Sequence, residues 1–239
     1  MTFGINTLKK SSIQQIMNKI IIKSYSGETF GQTLDKEELK ICSLYSAKES
    51  KKFSERRSTL KAIIKILFPE NTNSIIGGFH EKPRIPYCNI FVNSSRTENL
   101  YAHFISDECE VGLDIEKING IKNSKQLAEG FMSKEEIQTF KKLTPSKEKI
   151  AFYSCWTRKE AFLKTTGSGF SINPSLLTLG FSLQSHESQV FEKNQQKYYI
   201  NQFILNDLII NACLTRSPKE KIQIINLDDQ NTLKYLTKL

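Results

Sequence analysis

Cysteine and histidine are scarce in this 239-residue sequence. The five cysteines, Cys42, Cys88, Cys109, Cys155 and Cys213, are odd in number, scattered, and never form a C-x-x-C pair. That pattern excludes a disulfide framework and argues against a zinc site, so reduced, buried thiols in a cytoplasmic protein are expected. His80, His103 and His186 are not spaced for shared ligation, which disfavours a histidine-rich metal centre. Eleven glycines and six prolines are too few for a collagen-like or low-complexity chain, and 15 phenylalanines supply a core that a disordered chain lacks. No apolar run approaches the roughly 18–20 residues of a membrane helix; Ile20-Ile21-Ile22 is far too short. The first residues, Met1-Thr2-Phe3-Gly4-Ile5-Asn6, lack a basic region followed by an apolar stretch, so no secretory signal is expected.

Positive charge is in excess: 34 Lys+Arg against 25 Asp+Glu, a formal +9. Such a balance suits anionic partners, whether nucleic acid, phosphorylated cofactors or an acidic protein surface. The lysines are spread along the chain (Lys9, Lys10, Lys51, Lys52, Lys141, Lys142), and no RNP-like aromatic motif, zinc finger or arginine-rich arm accompanies them. Nucleic acid is therefore disfavoured.

The length allows one large domain or two halves of roughly 100–130 residues each. Asp35 reads as the cap of a helix that continues through Leu39, Ser43, Tyr45 and Ala47, and a second helix over 55–68 carries Leu60, Ile63, Ile64 and Leu67 at helical spacing until Pro69 ends it. Strands are expected at 87–92 and 100–105. The run Val111-Gly112-Leu113-Asp114-Ile115-Glu116 alternates strictly, a strand signal closed by Asn119-Gly120. Helices follow at 134–143 and 147–166, stopped by Gly167 and Gly169, and then strands at 176–183, 198–205, 208–215 and 222–227. Helices followed by strands, twice over, read as an α+β arrangement.

Alternation places Gly112, Asp114 and Glu116 on one face of their strand. Two like charges two residues apart are tolerated in water, as on a solvent-facing edge; partly enclosed, they call for a hard cation such as Mg2+. Gly112 leaves room for a ligand to approach the backbone. In the later helix Trp156, Glu160 and Lys164 fall at i, i+4 and i+8. Glu160 and Lys164 read either as an ordinary surface pair or, with the strand acids, as a set that holds a magnesium–diphosphate complex, while Trp156 packs into the core. Gly167-x-Gly169 is a helix stop or a weak phosphate loop.

Two motifs, in the same order and about 40–50 residues apart, resemble those of the 4′-phosphopantetheinyl transferases. Val111-Gly112-Leu113-Asp114-Ile115-Glu116 is similar to the family's G-[IV]-D-[IV]-E, and Trp156-Thr157-Arg158-Lys159-Glu160-Ala161-Phe162-Leu163-Lys164 to its W-[ST]-x-K-E-[AS]-x-x-K, followed by G-x-G. The length resembles the longer, surfactin-synthetase-activating type, in which one chain holds two similar halves; the short type works as a trimer. The resemblance implies an α+β pseudodimer, each half a small antiparallel sheet packed with helices. An N-terminal half (1–108) would carry coenzyme A phosphate contacts, and a C-terminal half (109–239) the magnesium site and catalytic helix.

By motif position, the resemblance assigns Asp114, Glu116 and Glu160 to Mg2+ and Lys164 to the diphosphate and the reacting phosphate, with Lys159 in the same signature. Glu160 or Glu116 would be the base. Glu55-Arg56-Arg57 resembles the family's basic helix start, where arginine grips a coenzyme A phosphate, and Glu81-Lys82-Pro83 resembles its G-K-P element. Asn93-Ser94-Ser95-Arg96-Thr97 matches N-x-S-H-[ST] with Arg96 in place of histidine; an arginine grips phosphate bidentately without needing protonation, or else stands as a solvated loop residue. The implied activity is Mg2+-dependent transfer of phosphopantetheine from coenzyme A to a serine of an acidic apo acyl or peptidyl carrier protein, by a monomer without nucleic-acid or membrane partners. An inactive coenzyme A- or carrier-binding module is the alternative.

Overall fold

A computed structural model of the chain describes residues 18–28, 34–77 and 81–229, the Phe170 side chain excepted. The expectations for the first six residues and for His80 lie outside the described residues. The first half contains strand β1 (Asn18–Ser24), helices α1 (Lys36–Ser43) and α2 (Ala47–Leu67), and strands β2 (Phe91–Thr97) and β3 (Leu100–Ser106). The second contains β4 (Val111–Lys117), α3 (Ser124–Ala128), α4 (Lys134–Phe140), α5 (Pro145–Thr166), and strands β5 (Glu187–Lys193), β6 (Gln196–Leu205), β7 (Leu208–Leu214) and β8 (Gln223–Asn226).

Local chemistry sets the helix ends. Asp35 forms a capping box with Glu38, each carboxylate accepting the other residue's backbone N–H. Ser46 caps a new helix through the Glu49 N–H, so the first helix ends at Ser43 and does not run on to Ala47, where α2 begins eight residues before the expected 55. Phe68 leaves the helix at φ −132°, as a residue preceding proline tends to. Pro145 starts α5 at a position where a missing N–H costs nothing, and Gly167, at φ +68°, stops it.

The strands form two four-stranded sheets, β2-β3-β1-β8 and β4-β7-β6-β5. All pairings are antiparallel except β1 with β8. Between the sheets, Ile20, Ile22 and Phe104 of the first meet Val111, Leu113, Ile115 and Ile210 of the second in one shared core. On the outer face of the first sheet, Leu60, Ile63 and Ile64 of α2 cover Ile21, Val92 and Ile105. On the outer face of the second, Ala161 and Phe162 of α5 meet Ile200 and Cys213. Each half is thus a sheet with a long helix outside it, as the α+β expectation required.

Several elements differ from the sequence reading. The strand expected at 87–92 begins only at Phe91, after Tyr87 at φ 60°, and continues through Thr97. Residues 176–183 form no strand: a short 3-10 turn at Pro174–Leu176 is followed by backbone whose Leu179 and Gly180 N–H groups donate to Glu136 Oε1, both at 2.8 Å. β1 and β5 had no sequence signal strong enough to name. β8 lies in the second half by number yet pairs in parallel with β1.

Candidate active site

The site lies where β2 meets β4. These strands are joined by side chains: Asn93 Oδ1 accepts the Leu113 N–H at 2.9 Å, Ser95 Oγ donates to Asp114 Oδ1 at 2.8 Å, and Thr97 Oγ1 donates to Glu116 Oε2 at 2.8 Å. Alternation along β2 brings residues 93, 95 and 97 to the junction, and alternation along β4 turns Asp114 and Glu116 away from the shared core. Residues 93–97 are polar at every position, so no alternation in the sequence disclosed which of them join β4.

Asp114 is 4% exposed. Its Oδ1 also accepts from Lys164 Nζ at 2.6 Å, and Lys164 reaches Ser95 Oγ at 3.2 Å. Lys164 therefore pairs across the fold with Asp114, rather than along its helix with Glu160 as a surface pair. Glu160 is held above the usual carboxylate range by burial and by the like charges of Asp114 and Glu116, with Lys164 opposing. Glu116 is likewise raised, by burial first, with Thr97 opposing and Asp114 adding to the shift. Three mutually repelling carboxylates and one contacting ammonium leave the site short of positive charge.

Among the described residues, no three acidic, histidine or cysteine side chains are gathered as they stand into a group that could hold a metal ion. Lys164 takes one oxygen of Asp114 and Thr97 one oxygen of Glu116. Two buried oxygens, Asp114 Oδ2 and Glu160 Oε1, nevertheless have no hydrogen-bond partner. An oxygen-only donor set with orphaned buried atoms fits a hard divalent cation in kind.

A cavity of about 270 Å³ opens beside these groups, lined by Arg56, Arg57, Ser94, Arg96, His103 and Lys164 among others. Arg56 is half-buried on α2 and donates to the Tyr25 hydroxyl at 3.0 Å. Arg57, 4% exposed, donates to the Ile75 and Gly77 carbonyls at 3.4 and 2.5 Å and lies 3.7 Å from Glu38. Both arginines sit within α2, not at a helix start. Arg96 is on strand β2, not in a loop, and pairs with Glu49. His103, which sequence reasoning had weighed only as a metal ligand, shares a 2.8 Å hydrogen bond with Ser94. Burial, with the charges of Arg56 and Arg57, pushes it down to about 3, so it is a neutral wall of the cavity at physiological pH.

Three readings are corrected. Lys159 does not reach the cavity: fully buried, it pairs with Glu136 at 2.6 Å and donates to the Phe131 and Pro174 carbonyls at 2.8 and 2.9 Å. It ties α5 to the segments around 131 and 174. Lys82 does not line the cavity either; it bridges the halves, 2.6 Å from Glu110 and 3.4 Å from the Thr165 carbonyl. Gly112 leaves no space for a ligand, because α5 occupies it: a Cβ there would overlap the Ala161 carbonyl and come within 2.5 Å of the Thr165 nitrogen. Trp156 packs edge-on against Phe131 at 5.1 Å, as a core residue.

The chain is 28% identical over 130 residues to the 4′-phosphopantetheinyl transferase psf-1 of Bacillus pumilus, which is 54% of this chain and 55% of that protein. It is 37% identical over 78 residues to AcpT of Salmonella typhi, covering 33% and 41% of the two chains. With ffp of Bacillus subtilis it shares 35% identity over 108 residues, 44% of this chain and 45% of the other. The match spans about half, or less, of the length of these relatives. The family model of the 4′-phosphopantetheinyl transferase superfamily matches residues 110–235, more than half of the chain and the part that carries β4 and α5. By that match the chain belongs to the 4′-phosphopantetheinyl transferase superfamily.

Proposed function

We propose that the chain transfers the 4′-phosphopantetheine group of coenzyme A to a serine hydroxyl of an apo acyl or peptidyl carrier protein and releases adenosine 3′,5′-bisphosphate. The observation that carries this reading is one cavity lined by Arg56, Arg57, Arg96, Asp114 and Lys164, with Glu116 and Glu160 close enough to Asp114 for their charges to interact. Phosphoryl transfer needs such an arrangement, since its barrier is met by positioning and charge.

The serine oxygen forms a bond to the pantetheine-side phosphorus as the bridging P–O bond of the diphosphate breaks, and the adenosine bisphosphate leaves. Arg56 and Arg96 hold phosphate oxygens, Arg96 bidentately. Lys164 exchanges its contact with Asp114 for the diphosphate and offsets charge developing on the leaving side. Glu160, whose carboxyl is already raised, or Glu116 takes the serine proton. Mg2+ bound by Asp114, Glu116 and Glu160 would supply further neutralisation of the diphosphate.

The chain is of the longer, surfactin-synthetase-activating type, which serves carriers of secondary metabolism. Two sheets within one polypeptide, meeting at β2 and β4, support a monomer with a complete site. Five free cysteines suit the cytoplasm. The test is incubation with coenzyme A, magnesium and a panel of apo-carriers, read by intact mass. A gain of about 340 Da on carrier serine is expected, as for any covalent phosphopantetheine. Asp114→Ala loses that gain while staying folded; undiminished turnover in this variant would count decisively against the assignment.

A further inference from the structure

Glu49 lies in the first turn of α2, where its backbone N–H is capped by Ser46 at 3.3 Å. Its carboxylate has no part in that cap. It closes instead on the guanidinium of Arg96, bridging α2 to β2 at the cavity that Arg96 lines. The Arg96 hydrogen bond, followed by the charges of Arg96, Lys52 and Arg56, holds Glu49 below the usual carboxylate range. One acid thus sits among three cations, two of which, Arg56 and Arg96, line the cavity. Both partners of the ion pair remain reachable by water, with Glu49 34% and Arg96 46% exposed. Solvated pairs of this kind are weak enough to change partners. A phosphate, with more negative charge and a geometry that matches the guanidinium fork, is the stronger partner.

We propose that Glu49 is a built-in stand-in anion, holding Arg96 in the free protein and competing with a phosphate group of coenzyme A for the same guanidinium. Glu49 thereby sets the affinity of the site and keeps weaker anions out. This inference rests on the reading of the cavity as the coenzyme A site.

Calorimetric titration of coenzyme A, without carrier protein, into the wild-type chain, Glu49→Gln, Arg96→Ala and the double variant tests it. Glu49→Gln is expected to lower Kd by about 3- to 10-fold, and Arg96→Ala to raise it. In the Arg96→Ala background the Glu49→Gln change should move Kd by less than about 2-fold, because the partner they compete for is gone. Glu49→Ala, checked for unchanged helicity, should shift Kd in the same direction as Glu49→Gln. Unchanged or weaker binding by both Glu49 variants overturns the proposal, and so does equal tightening with and without Arg96. Failure of the wild-type chain to bind coenzyme A at all overturns the reading of the cavity, and the proposal with it.

Discussion

Replacing Lys159 by methionine separates a structural lysine from a substrate-binding one. The ammonium is fully buried and holds three groups at 2.6–2.9 Å: the Glu136 carboxylate and the carbonyls of Phe131 and Pro174. Methionine fills similar volume but leaves Glu136, 3% exposed, without its counter-charge. Removing one partner of a buried ion pair costs about 3–5 kcal/mol, because the other charge stays desolvated. Glu136 keeps backbone N–H bonds from Ser133, Leu179 and Gly180 at 2.7–2.8 Å, which places the expected loss near the lower end, about 3 kcal/mol. At this chain length that lowers Tm by about 6–12 °C. Urea unfolding at 15 °C should show a reduced midpoint with an unchanged slope, and the folded variant should bind coenzyme A with wild-type affinity. The double variant Lys159→Met/Glu136→Gln should recover part of the loss, since no bare charge remains. A variant that melts like the wild type yet loses coenzyme A affinity would refute this reasoning and return Lys159 to the substrate site.

Three other outcomes follow from the site. Glu160→Gln should abolish transfer and yet raise the Tm of the metal-free protein at pH 7, because it removes a buried carboxylate beside two others. The sign follows from the raised carboxyl: the folded state binds the proton more tightly than the unfolded one, so this stability is present below the ordinary carboxylate pKa and is lost as pH rises through the raised value. A wild-type stability that does not fall across that window more steeply than the variant's contradicts the environment described for Glu160. Gly112→Ala should destabilise by about 1–3 kcal/mol or more, because the new methyl meets the backbone of α5 at Ala161 and Thr165 as well as the Thr165 hydroxyl; a neutral Tm would mean that helix and strand part easily. If the carrier is the acidic partner proposed for this +9 chain, its affinity should weaken as salt rises, more than turnover does at saturating carrier; a salt-insensitive KM for the carrier excludes that attraction.

What the sequence disclosed, and what it hid, divides along the range of the interactions. β4 was legible because apolar and non-apolar residues alternate along it: Val111, Leu113 and Ile115, all fully buried, fill the core between the sheets, and Gly112, Asp114 and Glu116 take the other face. β1 was hidden for the converse reason: it is buried on both faces, so Ile20, Ile21 and Ile22 run consecutively and leave no period to read. Residues 176–183 misled because Leu177 and Leu179 are buried at strand spacing, while the nearby backbone donors go to a glutamate 43 and 44 residues away. The site divides in the same way. Its residue types were readable, but which cation meets which acid was not, since Lys164 lies 50 residues from Asp114 and Arg96 lies 47 from Glu49. Motif adjacency places Lys159 beside Glu160, yet successive helical residues point about 100° apart, so the lysine enters the core while the glutamate stays at the cleft. Within this helix the partners of the charged end tell the two lysines apart: Lys159 is taken up by Glu136 and two backbone carbonyls, whereas Lys164 reaches Asp114 beside the cavity.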